Sequence, residues 1–212
     1  PWGTENDKEY LRDKNVTINV SIIDDCNDSL PNLDWINISY THIETWTNYS
    51  CENILNYNDG NYSCEFNTSS PIVLDAYWYG VRLNSSKGWH IYNDTFETNV
   101  FKVETQPNLT DPRVTPWDGG YSSVFNFSIN VTDEDKDDVT VYLYKRMEGA
   151  SEWIYVGETI CFGLCNNTSK SIWEPSGSYS CPGDFGTWEF KWNATEDDQW
   201  NDTSAVMKYN VT

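Results

Sequence analysis

From Val16 the chain alternates: Val16, Ile18, Val20 and Ile22 are apolar while Thr17, Asn19 and Ser21 are polar, the period-two pattern of a strand with one buried and one solvated face. The pattern returns more strongly from Ser123 to Tyr144, where Phe125, Phe127, Ile129 and Val131 alternate with Asn126, Ser128, Asn130 and Thr132. A turn holding Asp133, Glu134, Asp135, Asp137 and Asp138 separates this run from a second one, in which Val139, Val141 and Leu143 face away from Thr140, Tyr142 and Tyr144. In the earlier copy Asp24, Asp25 and Asp28 surround Cys26, and Ile36, Ile38 and Tyr40 form the return strand. The unit is strand, acidic loop, strand, and it occurs twice.

The two copies keep a fixed spacing. Val16 matches Phe125 and Ile22 matches Val131, both 109 positions later, and Tyr79 to Ser86 lies over Trp188 to Thr195 at the same offset. Asn93-Asp94-Thr95 recurs as Asn201-Asp202-Thr203, and Gly60 to Cys64 recurs as Gly177 to Cys181 after an insertion. An internal duplication at this period predicts two domains, 1–106 and 107–212, joined across the proline-bearing stretch 105–112. In the second copy, strands are expected near 113–116, 123–132, 138–147, 152–160, 170–174, 186–193 and 205–211. Short alternating runs without helical periodicity predict an all-β fold of two tandem immunoglobulin-like β-sandwiches. Trp188, Phe190 and Trp192 supply one inward row of the second, and Tyr79, Val81 and Leu83 the corresponding row of the first.

Composition adds a location. Of 23 asparagines, 17 stand in N-x-S/T: Asn15, Asn19, Asn27, Asn37, Asn48, Asn61, Asn67, Asn84, Asn93, Asn108, Asn126, Asn130, Asn166, Asn167, Asn193, Asn201 and Asn210. Serine and threonine number 38, so random placement would give about four. Polar strand faces collect these residue types in any case, which accounts for a doubling but not a quadrupling. The excess marks a chain selected for N-glycosylation, hence extracellular or at the cell surface. Asn166 and Asn167 overlap, so one of the two is expected to carry sugar.

A formal net charge of -20 with 13 basic residues makes nucleic acid and anionic membrane poor partners. The longest apolar stretches, such as 69–74, fall far short of a membrane span, so no direct membrane insertion is expected. No leader segment opens the sequence, which reads as a mature chain or an excised fragment.

Six cysteines in an exported chain predict disulfides, and their spacing lacks the paired ligands of a zinc site. The shared Gly-x-Tyr-Ser-Cys makes Cys64 and Cys181 equivalent. We therefore expect Cys51–Cys64, together with a bond from Cys181 to Cys165 or Cys161, each contributing about 2–4 kcal/mol. Cys26 is left either for a link to another subunit or for a different pairing within its domain. His42 and His90 stand in no catalytic motif and there is no glycine-rich phosphate loop, so an enzyme is not expected. Trp46, Trp89, Trp153 and Trp200 are candidates for stacking on sugars, the basis of an alternative reading as a lectin-like or receptor-like ligand-recognition module.

Phe125 to Tyr144, with Trp192-Asn193-Ala194-Thr195-Glu196-Asp197, resembles the immunoglobulin-like and cadherin-like sandwich repeats of archaeal surface-layer glycoproteins and of cell-surface filaments or adhesins. The resemblance covers the second domain directly and the first through the repeat. It implies a structural protein whose partners are copies of itself or other surface-protein domains. Loops at one end of such a sandwich bring acids together, so Asp133, Asp135, Asp137, Glu196, Asp197 and Asp198 are candidate Ca²⁺ ligands, with Asp202 nearby. Apart from that ion and covalent N-glycans, no cofactor is expected.

Overall fold

A computed structural model describes residues 8–23, 29, 33–69, 74–88, 90–196 and 200–212. The chain divides into two compact units, Pro1–Glu104 and Thr105–Thr212, the division falling two residues before the expected boundary.

The first unit contains β1 (Lys8–Leu11), β2 (Asn15–Ser21), β3 (Trp35–His42), β4 (Asn48–Ser50), β5 (Ile54–Asn56), β6 (Asn61–Asn67), β7 (Tyr77–Lys87) and β8 (His90–Glu104). One sheet has the order β1-β8-β7-β3-β4 and the other β2-β6-β5. All described pairings here are antiparallel except β1 with β8. The alternation of β2 is realised as written: Val16, Ile18 and Val20 are buried and the intervening residues exposed. They meet Ile38 and Tyr40 of β3 and Tyr79, Val81 and Leu83 of β7 in a single core. Stacked rings fill its centre, with Tyr40 lying 4.1 Å from Phe66 and Tyr79 lying 5.1 Å from Phe101. Burial, reinforced by neighbouring Tyr49 and Glu52, pushes the Tyr40 hydroxyl up to about 12.

The second unit contains β9 (Asn108–Thr115), β10 (Asp118–Gly119), β11 (Phe125–Asp133), β12 (Val139–Met147), β13 (Ile154–Cys161), β14 (Cys165–Glu174), β15 (Gly186–Glu196), β16 (Trp200–Thr203) and β17 (Met207–Val211). Its sheets run β10-β17-β15-β12-β13, with β16 also on β15, and β14-β11-β9. Every expected strand of this copy is present. The first begins earlier than expected, at Asn108, and an additional strand, β16, precedes the last one, separated from it by residues 204–206. Phe125, Phe127, Ile129 and Val131 pack against Val139, Val141, Leu143, Phe190 and Trp192, all fully buried.

The repeat is legible in the sheets. β2 with β6 corresponds to β11 with β14, and β3 with β7 to β12 with β15. The Gly-x-Tyr-Ser-Cys motif does not follow this correspondence. Gly60 leads directly into β6, whereas Gly177 lies after β14. Both glycines sit at φ 87°, and Tyr62 and Tyr179 are both buried, so the motif encodes a local turn with an inward tyrosine rather than a place in the sheet.

That displacement decides the cysteines. Cys51–Cys64 forms as expected and ties the β4 end of one sheet to β6 in the other. The expected bond from Cys181 does not form: Cys161 and Cys165 bond to each other across the β13–β14 turn, and Cys181 is an exposed free thiol. On β11, Phe127 faces Ile172 where Ile18 on β2 faces Cys64, so the second copy has an isoleucine at the bridging position. Cys26 lies outside the described residues.

Candidate functional site

At one end of the second unit, strand parity carries carboxylates inward. The buried row of β11 ends on Asp133, 2% exposed, and that of β15 ends on Glu196, 1% exposed. In both strands the acid takes the next position of the same face that holds the core residues, a signal present in the alternation itself. Asp135, two residues past β11, is 1% exposed. Its Oδ2 accepts hydrogen bonds from the Thr105 backbone N–H at 2.8 Å and the Thr105 hydroxyl at 3.2 Å, and its Oδ1 faces the Asp137 N–H at 3.4 Å.

Asp135, Asp137 and Glu196 each bring one carboxylate oxygen within 4.8 Å of the others. Oxygens sharing a Ca²⁺ shell at about 2.4 Å from the ion stand no more than about 4.8 Å apart, so these three fit one ion. The donors are hard oxygens, a set that suits Ca²⁺ or Mg²⁺ over zinc or copper. Carboxylates this close and this buried repel unless a cation or proton neutralises them.

The remaining expected ligands divide. Asp133 is not in the group, because β11 holds it opposite Cys165 of β14. Asp197 and Asp198 lie outside the described residues. Asp138 and Asp202 make other contacts, accepting the Gly163 N–H of the β13–β14 turn and the Leu109 N–H of β9, each at 2.8 Å.

A second polar cluster, which the sequence reading did not single out, crosses the core of this unit. Lys145 takes the inward position after Leu143 on β12, and its ammonium donates to Glu174 Oε1 at the end of β14, joining the two sheets. Both side chains are buried. The ammonium also lies 4.1 Å from the Tyr179 ring centroid and 5.0 Å from that of Trp188. The Tyr179 hydroxyl donates to Glu174 Oε2 at 2.6 Å and stands 2.6 Å from the Tyr209 hydroxyl. Burial pushes both tyrosine hydroxyls well above their ordinary range.

The sequon asparagines are distributed over both sandwiches. All whose side chains are described are exposed or half-buried, while Asn27 and the side chain of Asn93 fall outside the description. Among the candidate sugar-stacking tryptophans, Trp46 is 66% exposed. Trp153 is half-buried under the Arg146 guanidinium at 4.3 Å and the Lys191 ammonium at 5.0 Å. Trp89 and the side chain of Trp200 are outside the described residues. His42 is buried, and its Nδ1 accepts the N–H groups of Glu44 at 3.2 Å and Thr45 at 3.1 Å, which fixes a turn. The side chain of His90 is not described. Among the described residues no helix is long and apolar enough to cross a membrane.

No protein-family model and no curated protein matches the chain. Solved structures do. A four-domain ectodomain fragment of ICAM-5 is similar with a TM-score of 0.58 at 11% identity, covering 98% of this chain and 49% of that one. The I67–I69 fragment of titin is similar with a TM-score of 0.54 at 12% identity, covering 98% of this chain and 63% of that one. This chain thus spans about half to three fifths of the length of these structures. Both neighbours are chains of immunoglobulin domains, and at this identity the likeness shows the immunoglobulin-like fold alone.

Proposed function

We propose that the chain is a heavily N-glycosylated extracellular structural module, a segment or subunit of a surface layer, filament or adhesive stalk. The observation that carries the reading is the sequon density, 17 of 23 asparagines, set on strands and turns of both sandwiches. The disulfides Cys51–Cys64 and Cys161–Cys165 support an oxidising compartment. On this reading the inward faces make two rigid bodies and the outward faces carry a coat of sugar. Intact mass spectrometry of the chain from its native source, before and after enzymatic or chemical deglycosylation, tests it. A large loss of mass with attachment sites in both units is expected, and an unshifted peak at the polypeptide mass overturns it.

The proposal extends to the carboxylates. Asp135, Asp137 and Glu196 hold a calcium ion that neutralises the buried acids and fixes the loop after β11 to the end of β15. Added calcium is expected to raise the melting temperature of the second unit. In Asp137→Asn, which leaves the fold's hydrogen-bonding volume nearly unchanged, that increment shrinks. An identical melting temperature in calcium and in chelator sinks the assignment.

A further inference from the structure

On the solvated face of the β14-β11-β9 sheet, the outward row of β11 runs Asn126, Ser128, Asn130, and the row beside it on β14 runs Trp173, Ser171, Ser169. Trp173 is the one apolar residue of these two rows, and it is 64% exposed. A single exposed apolar side chain needs no explanation by itself. Its position does: the register sets Trp173 directly opposite the sequon asparagine Asn126.

The internal repeat supplies a control. Thr17 on β2 holds the place of Asn126, and Glu65 on β6 holds the place of Trp173. Where the asparagine is missing, so is the ring. Other sequon asparagines face small polar partners, as Asn19 faces Ser63, Asn48 faces Thr41 and Asn130 faces Ser169. Among the described cross-strand pairs one other sequon, Asn193, faces an aromatic residue, Tyr142, and that ring is already engaged with Tyr155 at 6.5 Å. The Trp173 indole stacks on no ring and no cation among the described residues, unlike Trp153 beneath Arg146 and Lys191.

We propose that Trp173 is a carbohydrate-stacking residue whose ligand is the first sugar of the N-glycan on Asn126. A pyranose presents C–H groups on one face, which lie against the electron-rich face of an indole while the hydroxyls stay in water. Residues directly opposite across an antiparallel pair have Cβ atoms about 4.5–5.5 Å apart, so the indole is within reach of a sugar on Asn126. Asn126 is half-buried, so that sugar starts close to the sheet surface. β14 is the edge of its sheet, so no further strand of this sheet crowds the far side of the indole. The stacked sugar covers an apolar ring and ties β14 to β11 beside Glu174, the residue that receives Lys145 in the core. The glycan thereby contributes to the stability of the sandwich as well as coating it. The inference deepens the reading of a glycan-coated structural module and rests on it.

The test is a double-mutant cycle on the full glycosylated chain. Trp173→Ser is made alone and together with Ser128→Ala, which removes the Asn126 sequon and leaves both Asn126 and Trp173 in place. The loss of melting temperature on Trp173→Ser is expected to be larger by about 4 °C with the sequon intact than in the Ser128→Ala background, the shift that one aromatic contact produces in a domain of this size. Hydroxyl-radical footprinting reads the contact directly, and Trp173 is expected to oxidise several-fold more slowly in the wild type than in Ser128→Ala. Equal losses in the two backgrounds overturn the proposal, as does a Trp173 that oxidises equally fast in both, whether bare or covered by another chain. Peptide mapping of the sequons separates this failure from that of the sugar coat. Asn126 bare beside occupied sequons overturns the stacking alone, and a chain bare at every sequon overturns both.

Discussion

Replacing Glu174 with alanine is expected to cost the second unit about 3–5 kcal/mol, because it leaves the Lys145 ammonium buried without its counter-ion. The neighbours do not replace the lost charge: the Tyr179 and Trp188 rings offer only a π-face, and the Tyr179 hydroxyl must turn from Glu174 to the Tyr209 hydroxyl. Water cannot enter without opening a core in which Phe125, Phe127 and Phe190 are fully buried. Chemical denaturation of the whole chain should show the transition of the second unit moving to lower denaturant while that of the first unit, whose core is separate, stays in place. A double replacement, Lys145→Met with Glu174→Leu, should restore most of the loss by removing both charges together. If the alanine variant melts like the wild type, the pair is not buried in solution as described. If the double variant is no better than the single one, the loss comes from packing rather than from the unpaired ammonium.

Lys145 also marks where sequence reasoning stops. Parity from Val139, Val141 and Leu143 within the expected 138–147 strand points it inward, yet a lysine in that position has no visible reason to be buried until Glu174, 29 residues away, is known to lie across the core. Asp133 and Glu196 are the same case, since each continues an apolar row by position and breaks it by chemistry. The cores were legible because alternation is local: every inward residue expected on β2, β7, β11 and β15 is buried. Of the carboxylate group, Asp135, Asp137 and Glu196 could be named from the sequence, but which acids converge depends on register. The same register leaves Asp138 holding the β13–β14 turn and Asp202 of β16 holding β9. The place of Trp173 beside Asn126 was not legible at all. The two are far apart in the chain, and only the pairing of β14 with β11 brings them together.

The disulfides give the second large expected effect, and they separate a real bridge from a motif that misleads. Replacing Cys51 and Cys64 together with alanine should destabilise the first unit by about 3 kcal/mol, the chain-entropy value for a 13-residue separation. This bond joins two sheets through the centre of the core, where Cys64 is fully buried opposite Ile18, so lost packing adds to the effect. The bond from Cys161 to Cys165 closes only the β13–β14 turn, a four-residue separation for which the same argument gives about 2 kcal/mol. Cys181→Ser should leave the melting temperature unchanged, because the thiol is exposed and unbonded. The resemblance of Gly177 to Cys181 with Gly60 to Cys64 predicts the reverse, a severe loss on removing Cys181. Thermal melting of the Cys181→Ser chain therefore discriminates: a fall of several degrees would mean that Cys181 is bonded in solution, and an unchanged midpoint would mean that Ile172 holds the bridging position in the second sandwich.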